Sequence, residues 1–168
     1  MKHVILFLCA LSFSVFAIEG FYLGVEGGYV GPLGKAKDTY NSALGFGADI
    51  GVKASPIIDL TLLFQTSSHA GGGGLNCYMT GVSADFTLGR LNDFEFALGG
   101  GPALYLLRPS GEGENRFGIH FGGHADVLID ERVHVGLGLR YHAPFSAATM
   151  DSFWTIMARV GYQFGSTF

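Results

Sequence analysis

Along residues 151–168 every second position from Trp154 through Ile156, Ala158, Val160, Tyr162 and Phe164 is apolar or aromatic, and the run ends on Ser166 and Phe168. The positions between them are Thr155, Met157, Arg159, Gly161 and Gln163. A period of two sends successive side chains to opposite faces of an extended chain, so this stretch predicts a strand with two different solvents.

The same alternation recurs upstream. Residues 20–30 set Phe21, Leu23, Val25 and Tyr29 against Gly24, Glu26 and Gly28, and residues 43–53 set Leu44, Phe46, Ile50 and Val52 against Asp49, Gly51 and Lys53. Residues 57–67 oppose Leu60, Leu62 and Phe64 to Asp59, Thr61 and Gln65; residues 75–88 oppose Tyr78, Val82 and Phe86 to Met79, Ser83 and Asp85. In residues 93–106 Phe94, Phe96 and Leu98 face away from Glu95 and Gly99, and Pro102 predicts a bulge because it lacks a ladder donor. Residues 116–129 pair Phe117, Ile119 and Phe121 against His120, His124 and Asp126, and residues 133–141 pair Val135, Leu137 and Leu139 against His134, Gly136 and Arg140. The connections, residues 31–42, 54–56, 68–74, 89–92, 107–115, 130–132 and 142–150, alternate between longer and shorter.

Eight two-faced strands, alternating loop lengths and an aromatic-ended last strand closing on Phe168 resemble the small bacterial outer-membrane barrels of the OmpA, OmpX and OmpW type. The resemblance implies an all-β fold, an eight-stranded antiparallel up-and-down transmembrane β-barrel over residues 18–168, with four longer loops outside the cell and short turns in the periplasm. It implies outer-membrane lipid and lipopolysaccharide as surroundings and no cofactor. It also makes Phe168 the signal read by the outer-membrane assembly machinery.

Alternation alone does not say which face is inside. Glycine decides it, because thirteen of the 27 glycines sit on the charged face, where they make room for large side chains in a narrow cavity. The aromatic face, including Phe46, Phe64, Phe86, Phe117 and Trp154, then meets lipid. Tyr29, Tyr78, Tyr141 and Trp154 fall near the loop ends, with Phe86, Phe94, Tyr162 and Phe164 near the turn ends, as two water interfaces select.

Composition adds the leader. Lys2 and His3 precede an apolar run from Val4 to Phe16, and Val15-Phe16-Ala17 fits a signal peptidase site, so residues 1–17 read as a cleaved secretory signal. Without Lys2, nine basic residues face fourteen acidic ones, a balance that does not suit nucleic acid. Cys77, the one cysteine after the leader, has no activating base beside it and reads as a buried or lumen-facing thiol.

Candidate chemistry lies on the inner face. Glu26, Asp49, Asp59, Asp85, Glu95 and Asp126 stand against Lys53, Arg140 and Arg159, with His120, His124 and His134 in the same cavity. Charges in so narrow a space pair or hydrogen-bond, which predicts a polar network filling the lumen rather than a small-solute channel. His120 and His124 lie about 13 Å apart along a strand, too far for one ion, whereas a symmetric hairpin would bring His120 opposite His142. A lipid A-modifying reading rests on His142, Ser146 and Asp151. Their placement resembles that of the lipid A deacylase barrels, which carry a His-x-Ser pair after the seventh strand, but the spacing here is His142-x-x-x-Ser146. The reading preferred on the residues is a non-enzymatic surface barrel whose loops meet an extracellular ligand.

Deleting Phe168 should impair insertion into the membrane in cells more than refolding in detergent. Heat-modifiable gel migration of both preparations measures this, and equal losses would remove the assembly role.

Overall fold

The computed structural model describes residues 20–130 and 132–165; the leader at residues 1–17, Glu131 and Phe168 lie outside them. Eight strands follow in chain order: β1 (Gly20–Pro32), β2 (Ala43–Ser55), β3 (Ile58–His69), β4 (Leu75–Leu91), β5 (Phe94–Pro109), β6 (Glu114–Leu128), β7 (Val133–Pro144) and β8 (Phe153–Gly165). Each pairs antiparallel with its neighbours in sequence, and the sheet closes when β1 pairs β8 from Gly20 opposite Gly165 to Pro32 opposite Phe153. A spanning strand needs roughly 9–11 residues, so these strands, 12 to 17 residues long, run past the width of a bilayer.

The period-two pattern holds around the wall. Phe46 is 64% exposed and Phe117 75%, both on the outer face of the wall. On the opposite face Glu26, Asp49, Gln65, His120 and Arg159 are buried. The aromatic ends of the wall form ring pairs: Phe21 stacks on Phe164 at 4.6 Å beside the turns, and Tyr29 lies against Trp154 at 5.5 Å beside the loops.

Several expected boundaries move. The strands extend further toward the loops, so β7 runs to Pro144 and takes in His142, which the sequence pattern had left in the following loop. Its ladder to β6 continues that far because His120 and Gly118 supply partners for His142 and Pro144. The first loop holds a 3-10 turn, Ala36–Asp38. The ladder irregularities fall between Lys53 and Ser55 and between Thr87 and Gly89, at the turn ends. At Pro102 the register does not shift: pairing to β4 lapses between Gly81–Ala103 and Ala84–Gly100 and resumes in step. Omitting two rungs accommodates the missing donor there without an inserted residue.

The tight connections have local causes. Asn92, with φ of 55°, turns β4 into β5, a left-handed conformation that asparagine tolerates. In the turn after β6, Asp130 accepts the backbone N–H groups of Arg132 at 2.7 Å and Val133 at 2.8 Å, which hold its carboxyl below the usual carboxylate range. Between β3 and β4 Gly71, Gly72, Gly73 and Gly74 all take positive φ, so the glycine run is a backbone requirement.

The inward glycines act as sockets. Glu26 lies across from Gly47 and Asp49 across from Gly24, and a Cβ at Gly47 would sit 2.7 Å from Glu26 Oε1 and 2.8 Å from the Phe64 carbonyl. Gly136 faces Asp126 in the same way, with a Cβ there 2.9 Å from the Asp126 Cα, whereas a Cβ at Gly138 would meet nothing nearer than 3.8 Å. Gly136→Ala should therefore cost about 1–3 kcal/mol through overpacking, while Gly138→Ala, on the same face of the same strand, should be neutral or mildly stabilising. Urea unfolding of the refolded barrel in vesicles measures both, and equal midpoints would refute the socket.

Candidate functional site

The lumen divides into two zones along its axis. At the loop end many inward positions are apolar: Leu63, Leu75, Met79, Tyr105, Leu107 and Phe153 join one buried cluster with Met157, Cys77 and Val30, while buried Gln65, Ser67 and His69 of β3 are polar exceptions. Ala36 and Tyr40 from the first loop and Met150 from the last press onto it from outside. This zone departs from the expectation of a polar filling throughout. Its residues were on the inward parity in the sequence, but parity without charge did not single them out.

Two histidines enter the plug. His120 and His142 face each other across β6 and β7, with ring centres 6.0 Å apart, as the hairpin symmetry predicts. The His142 ring stacks on Phe153 at 4.4 Å, and both of its nitrogens are engaged, Nδ1 with Tyr105 Oη at 3.3 Å and Nε2 with Thr155 Oγ1 at 3.5 Å. Tyr105 donates its one hydroxyl proton to the Ile119 carbonyl at 2.9 Å, so Nδ1 is the donor to Tyr105 and Nε2 accepts from Thr155. His120 Nε2 lies 3.1 Å from the Val82 carbonyl oxygen. Among the described residues no three histidine, cysteine or carboxylate side chains converge as a metal shell.

That geometry also locates the hydrolase candidates. His142 is wholly buried inside the barrel, whereas Ser146 and Asp151 sit on the exposed last loop. Nε2, the nitrogen that would activate a serine, is turned to Thr155. The three residues are not brought together.

Over the plug the four loops tie to one another. Asn41 donates its N–H to the Ala70 carbonyl at 2.7 Å, joining the first and second loops, and Ser110 donates to the Gly73 carbonyl, joining second and third. Glu114, at the third loop, accepts the N–H groups of Thr149 at 2.8 Å and Ala148 at 3.3 Å in the fourth, and Leu33 N–H reaches the Ser152 carbonyl at 2.9 Å to complete the circuit. A ring of hydrogen bonds thus closes the loop end.

The turn half carries the charges. Arg140 Nη1 donates to both carboxylate oxygens of Glu26 at 2.8 Å, and both side chains are nearly enclosed. Asp85 accepts from Ser83 at 2.8 Å and Thr61 at 3.2 Å, and Thr61 also bonds Tyr22. Arg159 is less closely held, 3.7 Å from Asp126 and 3.9 Å from Asp49. His124 lies 3.7 Å from Asp126, and Lys53 is the cross-strand partner of Asp59. Glu95 is drawn to the rim by Arg90 at 2.6 Å, a pairing the sequence pattern did not suggest. His134 lies over Gly161 and packs edge-on to Tyr22 at 6.3 Å. A cavity of about 180 Å³ opens among these groups at the turn end, lined by Tyr22, Asp59, His124, Asp126 and Arg159.

No protein-family model and no curated protein matches the chain. Solved structures do. Neisserial surface protein A is 17% identical with a TM-score of 0.70, over 86% of this chain and 97% of that one. The N-terminal β-barrel domain of OprF from Pseudomonas aeruginosa is 14% identical with a TM-score of 0.63, over 88% of this chain and 100% of its own. The outer membrane protein OprG of the same organism is 13% identical with a TM-score of 0.63, over 90% and 99%. The chain has the fold of the eight-stranded outer-membrane barrels.

Removing one member of a buried ion pair leaves the other uncompensated, at a cost of about 3–5 kcal/mol. Arg140→Met should destabilise the barrel by that amount, and Glu26→Gln combined with it should restore much of the loss. Denaturant midpoints of the three variants check it; additive losses would mean that Glu26 and Arg140 do not act as a pair.

Proposed function

We propose that the chain is an integral protein of the bacterial outer membrane, a non-enzymatic surface barrel with a wall in lipid, loops facing out, and a lumen closed to through-passage. The ring of hydrogen bonds joining all four loops above the Tyr105–His142–Phe153 plug carries this reading. An outward face of exposed Phe, Leu and Val with aromatic pairs at both rims supports the membrane, and the names of the similar structures, a surface protein and an outer membrane protein, agree with the location. In this reading residues 1–17 are removed on export, so the mature mass should begin at Ile18. Lipopolysaccharide surrounds the outer leaflet, the assembly machinery inserts the chain, and the tied loops present one fixed surface to an extracellular ligand.

A plugged barrel should show no steady unit conductance in planar bilayers, while the same preparation shows heat-modifiable migration. Reproducible conductance would overturn the closed lumen. Lipid A exposed to the protein should keep its mass, with Ser146→Ala as comparison, and loss of an acyl chain abolished by that substitution would overturn the non-enzymatic reading.

A further inference from the structure

Pro102 breaks the β4–β5 ladder halfway along β4. The register runs in step from Gly81–Ala103 to Ala84–Gly100, and the pairs Val82–Pro102 and Ser83–Gly101 between them are lost. Opposed residues of an antiparallel ladder exchange N–H···O bonds at every second pair, and proline has no N–H to give. A carbonyl turned toward a proline is left without its ladder donor, which is costly in a wall with no water beside it. The outer surface offers none, because over the break it is an apolar groove lined by Leu60, Leu62, Val82, Ala84, Gly100 and Pro102.

A donor comes instead from inside the barrel, and from a third strand. His120 of β6 is the cross-strand partner of Gly101, is 2% exposed, and brings Nε2 to 3.1 Å from the Val82 carbonyl oxygen. The imidazole therefore reaches from β6 across β5 to β4, and the Val82 carbonyl is turned toward the strand that carries Pro102. A carbonyl only accepts, so Nε2 carries the proton and donates it. Two glycines keep the path open. A Cβ at Gly101 would collide with the Val82 carbonyl oxygen, and a Cβ at Gly81 would stand 3.3 Å from His120 Nε2. The mid-strand proline, the two inward glycines and the buried histidine thus meet at one carbonyl.

We propose that His120 is a latch across a break built into the wall: its Nε2–H takes the place of the amide that Pro102 lacks and holds the β4–β5 seam shut. The latch concerns the wall and not the loops, so it goes beyond the closed loop end proposed above and stands or falls without it.

Two substitutions test it in the full mature protein refolded in detergent. Pro102→Ala returns an amide opposite Val82, and His120→Leu removes the side-chain donor. Other contacts of the ring, such as its stacking on His142, are lost equally in both backgrounds and cancel in a double-mutant cycle. With Pro102 in place, His120→Leu should lower the urea midpoint. It should also speed amide exchange at Gly81, Val82 and Ser83 by roughly tenfold relative to β7 and β8, as the loss of one buried hydrogen bond implies. Combined with Pro102→Ala, the same substitution should leave most of both quantities unchanged. Equal losses in the two backgrounds, no loss in either, or faster exchange spread evenly around the barrel would each overturn the latch. Should His120→Leu alone not refold, heat-modifiable migration recovered in the double variant supports the latch, and continued failure overturns it.

Discussion

Closure is the constraint from which the rest follows. A strand in hydrocarbon has no water to bond its N–H and C=O groups, so an open edge is excluded and the last strand has to pair the first. The thirteen rungs from Gly20–Gly165 to Pro32–Phe153 do this here. Once closed, a wall of period-two strands has one face wholly outside and one wholly inside. Exposed Leu44, Phe46 and Phe117 and buried Asp49, His120 and Arg159 are two consequences of one geometry.

Eight strands also make the enclosed space narrow. Many large inward side chains are set against a glycine on a neighbouring strand: Tyr22 against Gly51, Asp85 against Gly99, His134 against Gly161. The abundance of glycine is therefore a packing code, written as cross-strand pairs. It also enforces desolvation, and a charge so placed needs a partner at short range. Glu26 finds one in Arg140, while Asp49 does not find one of the same quality.

What was legible in the sequence was what depends on parity. The strand count, the outward aromatics, the inward charges and the His120–His142 pairing follow from a period of two and hairpin symmetry. Boundaries were not legible, because the ladder is extended by partners on other strands; His142 belongs to β7 because His120 of β6 and Phe153 of β8 lie beside it. The apolar plug was half legible: Leu63, Met79 and Tyr105 sat at inward positions, yet Tyr40 and Met150 come from loops whose folding back no local pattern announces. The loop ring joins residues far apart in the chain, such as Leu33 with Ser152, and no spacing encodes that. Pro102 predicted an inserted residue, but omitting two rungs accommodates the same missing donor with the register unchanged.

The two zones of the lumen are coupled through their order along the axis. At the loop end an apolar cluster lies beneath hydrogen-bonded loops, where an unpaired charge would be costly to bury. The acidic residues instead occupy the turn half, where a cavity lies against Asp59 and Asp126. A barrel filled evenly with polar side chains would have no such division along its axis. The asymmetry follows from where Tyr105, His142 and Phe153 stack, because these three rings are what divides the loop zone from the charged one.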